Sequence, residues 1–186
     1  MTAMSTLDLP VPSRPLTYAD LERMPDDGRR YELFDGALLV SPSPSRLHQR
    51  VVLQLVRLLD PLTLPAWELF TAPFDVVIDD YTAFEPDVLI ARMADLTERN
   101  LPAPPVLAIE VLSPSTRTTD LTTKHARLRD FGCRHYWVVD PDEPSVVAWE
   151  LGDGAYVEAG RAVGEETMRL ERPFAVEVTP QRLTER

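Results

Sequence analysis

The sequence contains 186 residues, of which 30 are acidic and 19 are basic, so its formal net charge is −11 with neutral histidines. This length favours a single domain, and 44% apolar with 26% charged residues is a globular composition that excludes general disorder, a collagen, a coiled coil and a disulfide scaffold. The negative charge also argues against sequence-independent coating of nucleic acid, because such binding needs an excess of Lys and Arg.

Cysteine and histidine residues are too few to support a disulfide framework or a zinc site. Cys133 is the only cysteine, and the three histidines are scattered along the chain. Such a chain suits a reducing environment, so we predict a cytoplasmic protein. No run of about 18 apolar residues occurs, which predicts a soluble protein without a membrane partner. Residues 1–15 contain three prolines and lack the apolar stretch of a secretory signal, so we predict a flexible N-terminal tail.

The first part of the predicted domain, residues 16–172, begins with a short helix capped by Thr17 and continues as a hairpin. YELF and ALLV are joined by Asp35-Gly36, a pair that readily adopts the positive φ angles of a tight turn. SPSPS follows as a stiff loop. Apolar residues then recur at helical spacing from Ser45 to the region of Pro61, which predicts a helix: Leu47, Val51, Leu55, Leu58 and Leu59.

The rest of the chain alternates strands with a helix. VLAIEVL is almost wholly apolar, which is typical of a central strand covered on both faces. A helix is predicted from about Thr119 to Phe131, with Gly132 as its C-cap. Residues 173–186 are predicted to form a polar C-terminal tail. Other strands are predicted at WELFT, FDVVID, DVLIA, HYWVVD and in further segments to about Leu170. This order predicts an α/β or α+β domain with a central mixed sheet flanked by helices.

Two carboxylates stand where strands are predicted. Glu110 lies inside VLAIEVL, and burying an ionised carboxylate without compensation costs several kcal/mol, so it requires a cation, a metal or a proton. Asp87 follows Pro86 at the start of DVLIA, where a turn acceptor is the more common role of an aspartate. Two carboxylates from separate strands of one sheet, with a few waters, would make the oxygen-rich site that Mg²⁺ prefers.

Lys124 is the only lysine among the 19 basic residues. Leu121, Lys124 and Leu128 are spaced by three and four residues, which predicts that Lys124 lies on the apolar stripe facing the sheet. A compact ammonium on a flexible stem can approach an attacking water or a phosphate oxygen. The simpler interpretation is that Lys124 extends toward solvent from a half-buried helix face.

Four segments in colinear order resemble the Uma-two family of restriction endonucleases, within the PD-(D/E)XK nuclease superfamily: YELFDGALLVSPSPSRLH, EPDVLIA, LAIEVLSPSTRTTDLTTK and FGCRHYWVVDP. The resemblance covers residues 16 to 151. It implies a restriction-endonuclease-like core that hydrolyses DNA phosphodiesters with Mg²⁺, for which Mn²⁺ can substitute, through a metal-activated water. It also implies that Asp87 and Glu110 bind the metal, that Lys124 activates or orients the water, and that Glu32 is an additional acidic residue of the site.

The sequence departs from the superfamily pattern at one position. The usual Glu-x-Lys would place lysine at position 112, where this chain has Leu112. The family explanation is that the lysine has moved to the following helix, where Lys124 is the only candidate. Weaker candidates for contact with phosphate or DNA are His48, which matches a histidine of the family pattern, and three arginines: Arg46, Arg50 and Arg127.

The distribution of charge leaves DNA binding possible. Residues 36–59 and 117–134 each carry a net charge of +3, and the remainder carries −17. If the two corresponding helices flank one groove, they could contact phosphates on an otherwise repelling surface. A homodimer would suit the cleavage of two strands.

Two other interpretations stay open. The protein could be a non-catalytic acidic DNA mimic or protein-interaction module with a vestigial site, in which Glu110 and Lys124 form a structural ion pair. Alternatively, Asp87 and Glu110 could act as the carboxylate pair of a glycoside hydrolase, although Lys124 would then have no obvious role.

Overall fold

Strands and helices follow the alternating and helical apolar patterns of the sequence. The computed structural model describes residues 14–185. The strands are β1 (Arg30–Phe34), β2 (Ala37–Ser41), β3 (Trp67–Thr71), β4 (Asp75–Asp79), β5 (Thr82–Phe84), β6 (Val88–Arg92), β7 (Asn100–Leu101), β8 (Leu107–Val111), β9 (His135–Asp140), β10 (Ser145–Gly152), β11 (Ala155–Val163), β12 (Met168–Leu170) and β13 (Val176–Val178). The helical segments are α1 (Tyr18–Leu21), α2 (Arg46–Leu59), α3 (Arg117–Thr119), α4 (His125–Phe131) and α5 (Pro180–Thr184), with 3₁₀ turns at Asp60–Leu62 and Met93–Asp95 and a π-helical turn at Asp120–Lys124. Within residues 14–185, no helix is both long enough and apolar enough to cross a membrane.

The central sheet places the apolar strand β8 near its middle. Its six strands run in the order β11-β10-β9-β8-β6-β3. β8 is antiparallel to β6 and parallel to β9, and the parallel pairing needs the crossover that α3, the π-helical turn and α4 provide. A second sheet has the order β2-β1-β5-β4-β7, and β12 pairs with β13. The predicted α+β class, a mixed sheet flanked by helices, is confirmed.

Different elements cover the two faces of the central sheet. Successive side chains of a strand point to opposite faces, so alternate residues contact different elements. In β8 the odd-numbered residues pack against α2, α5, β12 and β13. The even-numbered residues face the five-stranded sheet and α4, where Ala108 packs with Phe84 and Leu128. Glu110 belongs to this second face, so its carboxylate lies in the layer between the two sheets.

Several turns and caps form where short-range chemistry predicts them. Asp35 and Gly36 have φ angles of 51° and 80°, as the tight turn between β1 and β2 requires. The Ser45 hydroxyl accepts a hydrogen bond from the backbone N–H of His48 at 3.2 Å and so caps α2. Gly132 has a φ of 95° and ends α4.

The predicted apolar stripe of the crossover helix is wrong at Leu121. This side chain is 39% exposed, whereas Asp120, Lys124 and Leu128 face inward. The physical reason is the π-helical turn Asp120–Lys124, because a wider turn shifts the positions that follow it around the helix axis.

The predicted tails have different outcomes. The N-terminal tail falls on residues 1–15, and residues 1–13 lie outside the described part of the chain. The prediction of a C-terminal tail over 173–186 is wrong for residues 176–184, which contain β13 and α5. The segment has only a few apolar residues, but Val176, Val178 and Leu183 are buried in the core shared with α2. This long-range packing orders a segment whose sequence is largely polar.

Candidate active site

Four elements bring the predicted site residues together. Glu32 projects from β1, Glu110 from β8, and Lys124 from the last residue of the π-helical turn. Val88 of β6 pairs with Ile109 of β8, so the preceding residue, Asp87, lies beside Glu110. The backbone N–H of Val111 donates a hydrogen bond to Asp87 Oδ2 at 2.8 Å, which fixes this carboxylate against β8.

Lys124 lies at the centre of a buried acidic cluster. Its Nζ is 2.8 Å from Glu32 Oε1, 3.1 Å from Glu110 Oε1 and 3.5 Å from Asp120 Oδ1. All four side chains are 1% exposed, and the Phe84 ring lies 5.7 Å from Nζ. The interpretation in which Lys124 extends toward solvent is therefore wrong.

The charges of this cluster determine its protonation. Burial alone would lower the pKa of Lys124, but the surrounding carboxylates of Glu110, Glu32 and Asp120 raise it above its usual value. Burial raises the pKa of Glu110 well above its usual value, against the opposing effect of Lys124. Burial also raises the pKa of Asp120. The lysine is therefore a fixed cation among carboxyl groups that compete for its charge.

Asp87 is held by two basic side chains. Its Oδ1 accepts a hydrogen bond from Arg30 at 2.8 Å, and its Oδ2 lies 3.1 Å from His48 Nε2. Burial would raise the pKa of Asp87, but the hydrogen bond from His48 and the charge of Arg30 lower it to about 2. Asp87 is therefore ionised at neutral pH, and both of its oxygens already have partners.

Arg30 is a site residue that the sequence interpretation missed. Its guanidinium lies between Asp87 and Glu85, with Nε 3.6 Å from Glu85 Oε2. Burial raises the pKa of Glu85 to about 7, with Asp75 adding to the rise and Arg30 opposing it. The signal for Arg30 was its spacing of two residues from Glu32 in β1, because residues two apart on a strand share a face.

The site has unsatisfied capacity for a cation. Five carboxyl groups, of Glu32, Glu85, Asp87, Glu110 and Asp120, surround the two permanent cations Arg30 and Lys124. Within residues 14–185, Glu32 Oε2 is buried without a hydrogen-bond partner, and Asp120 Oδ1 has only the ion pair with Lys124 at 3.5 Å. An excess of buried carboxylates is stabilised either by protons or by a bound cation. Carboxylate oxygens are the donors that a hard divalent cation such as Mg²⁺ prefers.

The number of protein ligands available to such a cation is small. In the described part of the chain, no three His, Cys, Asp or Glu side chains converge in the arrangement of a metal site.

A narrow cleft, which we call the serine-proline cleft, leads from the surface to Asp87. Its volume is about 200 Å³. Two loops form its walls, residues 41–45 and 113–116, and Arg30, His48 and Asp87 lie between them. The first turn of α2 therefore opens onto the candidate site.

The three predicted arginine contacts lie outside this cleft. Arg46 and Arg50 are on α2 and do not line it, and Arg127 forms an ion pair with Asp35 at the hairpin turn. The two basic segments do not flank one groove, because α2 and α4 cover opposite faces of the central sheet. The expectation of a shared basic groove is therefore wrong.

Comparison with known proteins gives a family and a related solved structure. A family model described as "Uma2: Putative restriction endonuclease" matches residues 18–184. The structure of a protein from Anabaena variabilis ATCC 29413, described as a putative nuclease belonging to DUF820, superposes with a TM-score of 0.71 at 19% sequence identity. The match covers 91% of this chain and 98% of that chain, and shows a shared fold. No curated protein matches the sequence.

Proposed function

Because the chain belongs to the family described as Uma2, Putative restriction endonuclease, we propose that it is a Mg²⁺-dependent endonuclease that hydrolyses DNA phosphodiester bonds. The observation that carries the proposal is the position of Lys124. A buried ammonium within 3.1 Å of two carboxylates from different strands, next to a third at Asp87, is the set of charges that phosphodiester hydrolysis requires.

Asp87 and Glu110 are the proposed metal ligands, and Mn²⁺ is expected to substitute for Mg²⁺. Asp87 directly precedes β6 and lies beside Glu110 of β8, and the excess of carboxylates around them supports the assignment. A bound cation would supply positive charge to phosphoryl oxygens and make water a better nucleophile at neutral pH.

Lys124 acts as a permanent donor rather than as a base. Since the neighbouring carboxylates raise its pKa, it keeps its proton at neutral pH and cannot accept one from water. Its N–H groups can orient the attacking water and donate to a non-bridging phosphate oxygen as negative charge develops there. Glu32 holds the ammonium in place at 2.8 Å.

Arg30 and His48 position Asp87. Their hydrogen bonds and the N–H of Val111 fix the orientation of the carboxylate and keep it ionised. Arg30 also lines the serine-proline cleft, where it can contact a substrate phosphate. These roles make Arg30 and His48 positioning residues of the proposed site.

A non-catalytic protein-interaction module is a second candidate, favoured by the closed form of the cluster. Glu32, Glu110 and Lys124 are each 1% exposed, and the ammonium pairs with one oxygen of each glutamate. A closed ion-pair network of this kind also occurs as a purely structural feature of a core. A homodimer, which would suit the cleavage of two strands, stays a prediction.

The test is DNA cleavage by the full chain, with supercoiled and single-stranded DNA in Mg²⁺, Mn²⁺ or EDTA. The wild type should cut only with a divalent cation, and Glu110→Gln should lose about 100-fold or more of the rate. The matched control is Glu68→Gln, on an exposed position of the same sheet, which should cut like the wild type. Equal rates for both variants would refute the site, and a wild type inactive on every DNA would favour the interaction module.

A further inference from the structure

A second cavity lies at the edge of the central sheet farthest from the candidate active site. We call it the arginine cavity, because three arginines line it: Arg92, Arg134 and Arg172. Its volume of about 470 Å³ is within the range of small-molecule sites. Strand ends bound the cavity, and the loop between β12 and β13 contributes Arg172. The proposed nuclease mechanism uses none of these residues.

The register of the central sheet separates the arginine cavity from the candidate active site. Trp67 of β3 is paired with Arg92 of β6, and His135 of β9 with Glu150 of β10, so the members of each pair share a face. His135 lies beside the first residue of β8. Glu110 is three residues farther along β8, about 10 Å away along the strand, and its side chain is on the opposite face.

The charge of the cavity is opposite in sign to that of the chain. In the described part of the chain, three guanidinium groups and one carboxylate, that of Glu150, line it, whereas the formal net charge is −11. Arg172 donates to Glu150 Oε2 at 3.1 and 2.7 Å, and Arg92 is 3.6 Å from Asp95 Oδ2. Arg134 has no ion-pair partner within residues 14–185. Because guanidinium groups bind phosphates through paired N–H donors, this excess indicates an anionic ligand.

His135 adds a buried polar side chain to the lining. It is 7% exposed, and among the histidine rings of residues 14–185 only that of His48 makes a hydrogen bond. Burial lowers the pKa of His135, which Glu150 opposes and which the charges of Arg172 and Arg134 reinforce. The neutral ring keeps one N–H that can donate to an anion. A buried donor of this kind needs a ligand or a water as its partner.

An apolar wall completes the cavity. Trp67 and three prolines line it, and the Trp67 ring packs against that of Phe174 with centroids 6.5 Å apart. A bare inorganic anion makes no use of such a wall. A nucleotide combines a phosphate with a flat base, and aromatic side chains are the groups on which bases stack. The arginines, His135 and Trp67 together therefore suit a nucleotide.

We propose that the arginine cavity binds the phosphate of a nucleotide, with the base against Trp67, at a site separate from the candidate active site. Two sources share this chemistry, a free nucleotide and a nucleotide within DNA. The inference goes beyond the proposed nuclease function and does not depend on it.

The test is isothermal titration calorimetry of the full chain in EDTA with deoxyadenosine monophosphate, inorganic phosphate or a short oligonucleotide without terminal phosphates. The mononucleotide should bind more tightly than inorganic phosphate, because it also contacts Trp67. Arg134→Gln should weaken its binding about tenfold or more, as expected for loss of a charge-assisted hydrogen bond. Arg161→Gln is the matched control, because Arg161 is exposed on β11 outside the cavity, and it should bind like the wild type.

The three ligands distinguish the source of the phosphate. Binding of the oligonucleotide but not of the mononucleotide, weakened by Arg134→Gln alone, would support the inference with DNA as the source. Equal affinities for Arg134→Gln and Arg161→Gln would overturn it, as would no binding of either nucleotide ligand. Inorganic phosphate bound as tightly as the mononucleotide would also overturn it. Cleavage with Mg²⁺ is a separate measurement, so each of these results leaves the nuclease proposal intact.

A second pair of variants should change the affinity in the opposite direction. Glu150→Gln removes the carboxylate of the lining and releases Arg172, so the mononucleotide should bind about threefold or more tightly. Glu158→Gln makes the same change in net charge at an exposed position outside the cavity, and should leave the affinity unchanged. Equal effects of the two variants would show that net charge alone controls binding, and would overturn the inference.

Discussion

At the scale of single residues, Lys124 determines how the buried site can be interpreted. The sequence allowed a solvated lysine, a structural ion pair or a catalytic cation. The distances to Glu32, Glu110 and Asp120 exclude the first, because the ammonium pairs with buried carboxylates and the side chain is 1% exposed. A structural ion pair would only stabilise the fold, whereas a catalytic cation would stabilise the fold and also take part in the reaction.

Removal of the ammonium should destabilise the fold. Lys124→Met leaves Glu32 and Glu110 buried without their cation, and losing one partner of a buried pair costs about 3–5 kcal/mol. Urea unfolding should therefore show a loss of about 3 kcal/mol, partly relieved in Lys124→Met/Glu110→Gln because the second change removes a carboxylate.

Arg127→Met is the control for this prediction. It removes the surface ion pair with Asp35 and should cost about 1 kcal/mol or less. A Lys124→Met protein as stable as this control would mean that the cluster is not held together by the lysine.

At the scale of elements, the π-helical turn Asp120–Lys124 positions the lysine. The turn is anchored from the neighbouring strand β9, where the buried Tyr136 hydroxyl donates to the backbone carbonyl of Asp120 at 2.8 Å. Turns of this type interrupt α-helices frequently at functional sites. Tyr136 thus acts on Lys124 through the backbone, and its sequence context, HYWVVD, indicates only a core aromatic.

We expect Tyr136→Phe to lower kcat about tenfold with KM unchanged, because the lysine moves while the substrate cleft does not. Loss of a buried hydrogen bond also costs about 1–2 kcal/mol of stability. Tyr156→Phe is the matched control, since the Tyr156 hydroxyl likewise donates to a backbone carbonyl, that of Cys133, at 2.8 Å. Rates should be measured under conditions in which both variants are fully folded. Equal kcat values for the two variants would show that Tyr136 does not position the site.

The C-terminal elements β13 and α5 belong to the core. Leu183 of α5 is 4% exposed and packs in the cluster that also contains α2 and β8. Leu183→Ala should therefore lower the free energy of unfolding by about 2–4 kcal/mol, measured by urea denaturation. Leu53→Ala, at a position that is 50% exposed on α2, should change it by less than about 1 kcal/mol. If both variants lost less than about 1 kcal/mol, the C-terminal segment would behave as the tail that the sequence predicted.

At the scale of the whole molecule, the sequence predicted the features that local interactions and the alternation of side chains along a strand determine. The turn at Asp35-Gly36 and the cap at Ser45 are local, and the apolar context of Glu110 was enough to place it between layers. The ion pair of Arg30 with Asp87 joins residues 57 positions apart. It depends on how the two sheets pack against each other, which no local sequence pattern encodes.

The net charge of −11 is not spread evenly over the surface of the folded protein. Part of the acidity is buried around Lys124 and Arg30, where it forms the candidate site rather than a repelling surface. The basic helices lie on opposite faces of the central sheet, so they do not form one positive groove. Both features describe a recessed acidic site rather than a broad basic binding surface.

The most direct test of the central claim is the single-turnover rate at which Lys124→Gln cuts a labelled single strand in Mg²⁺, compared with the wild type at equal concentrations of folded protein. The account predicts a loss of about 100-fold or more, because Lys124 is the permanent donor at the proposed reacting phosphate. A folded Lys124→Gln protein that cuts at the wild-type rate would contradict it.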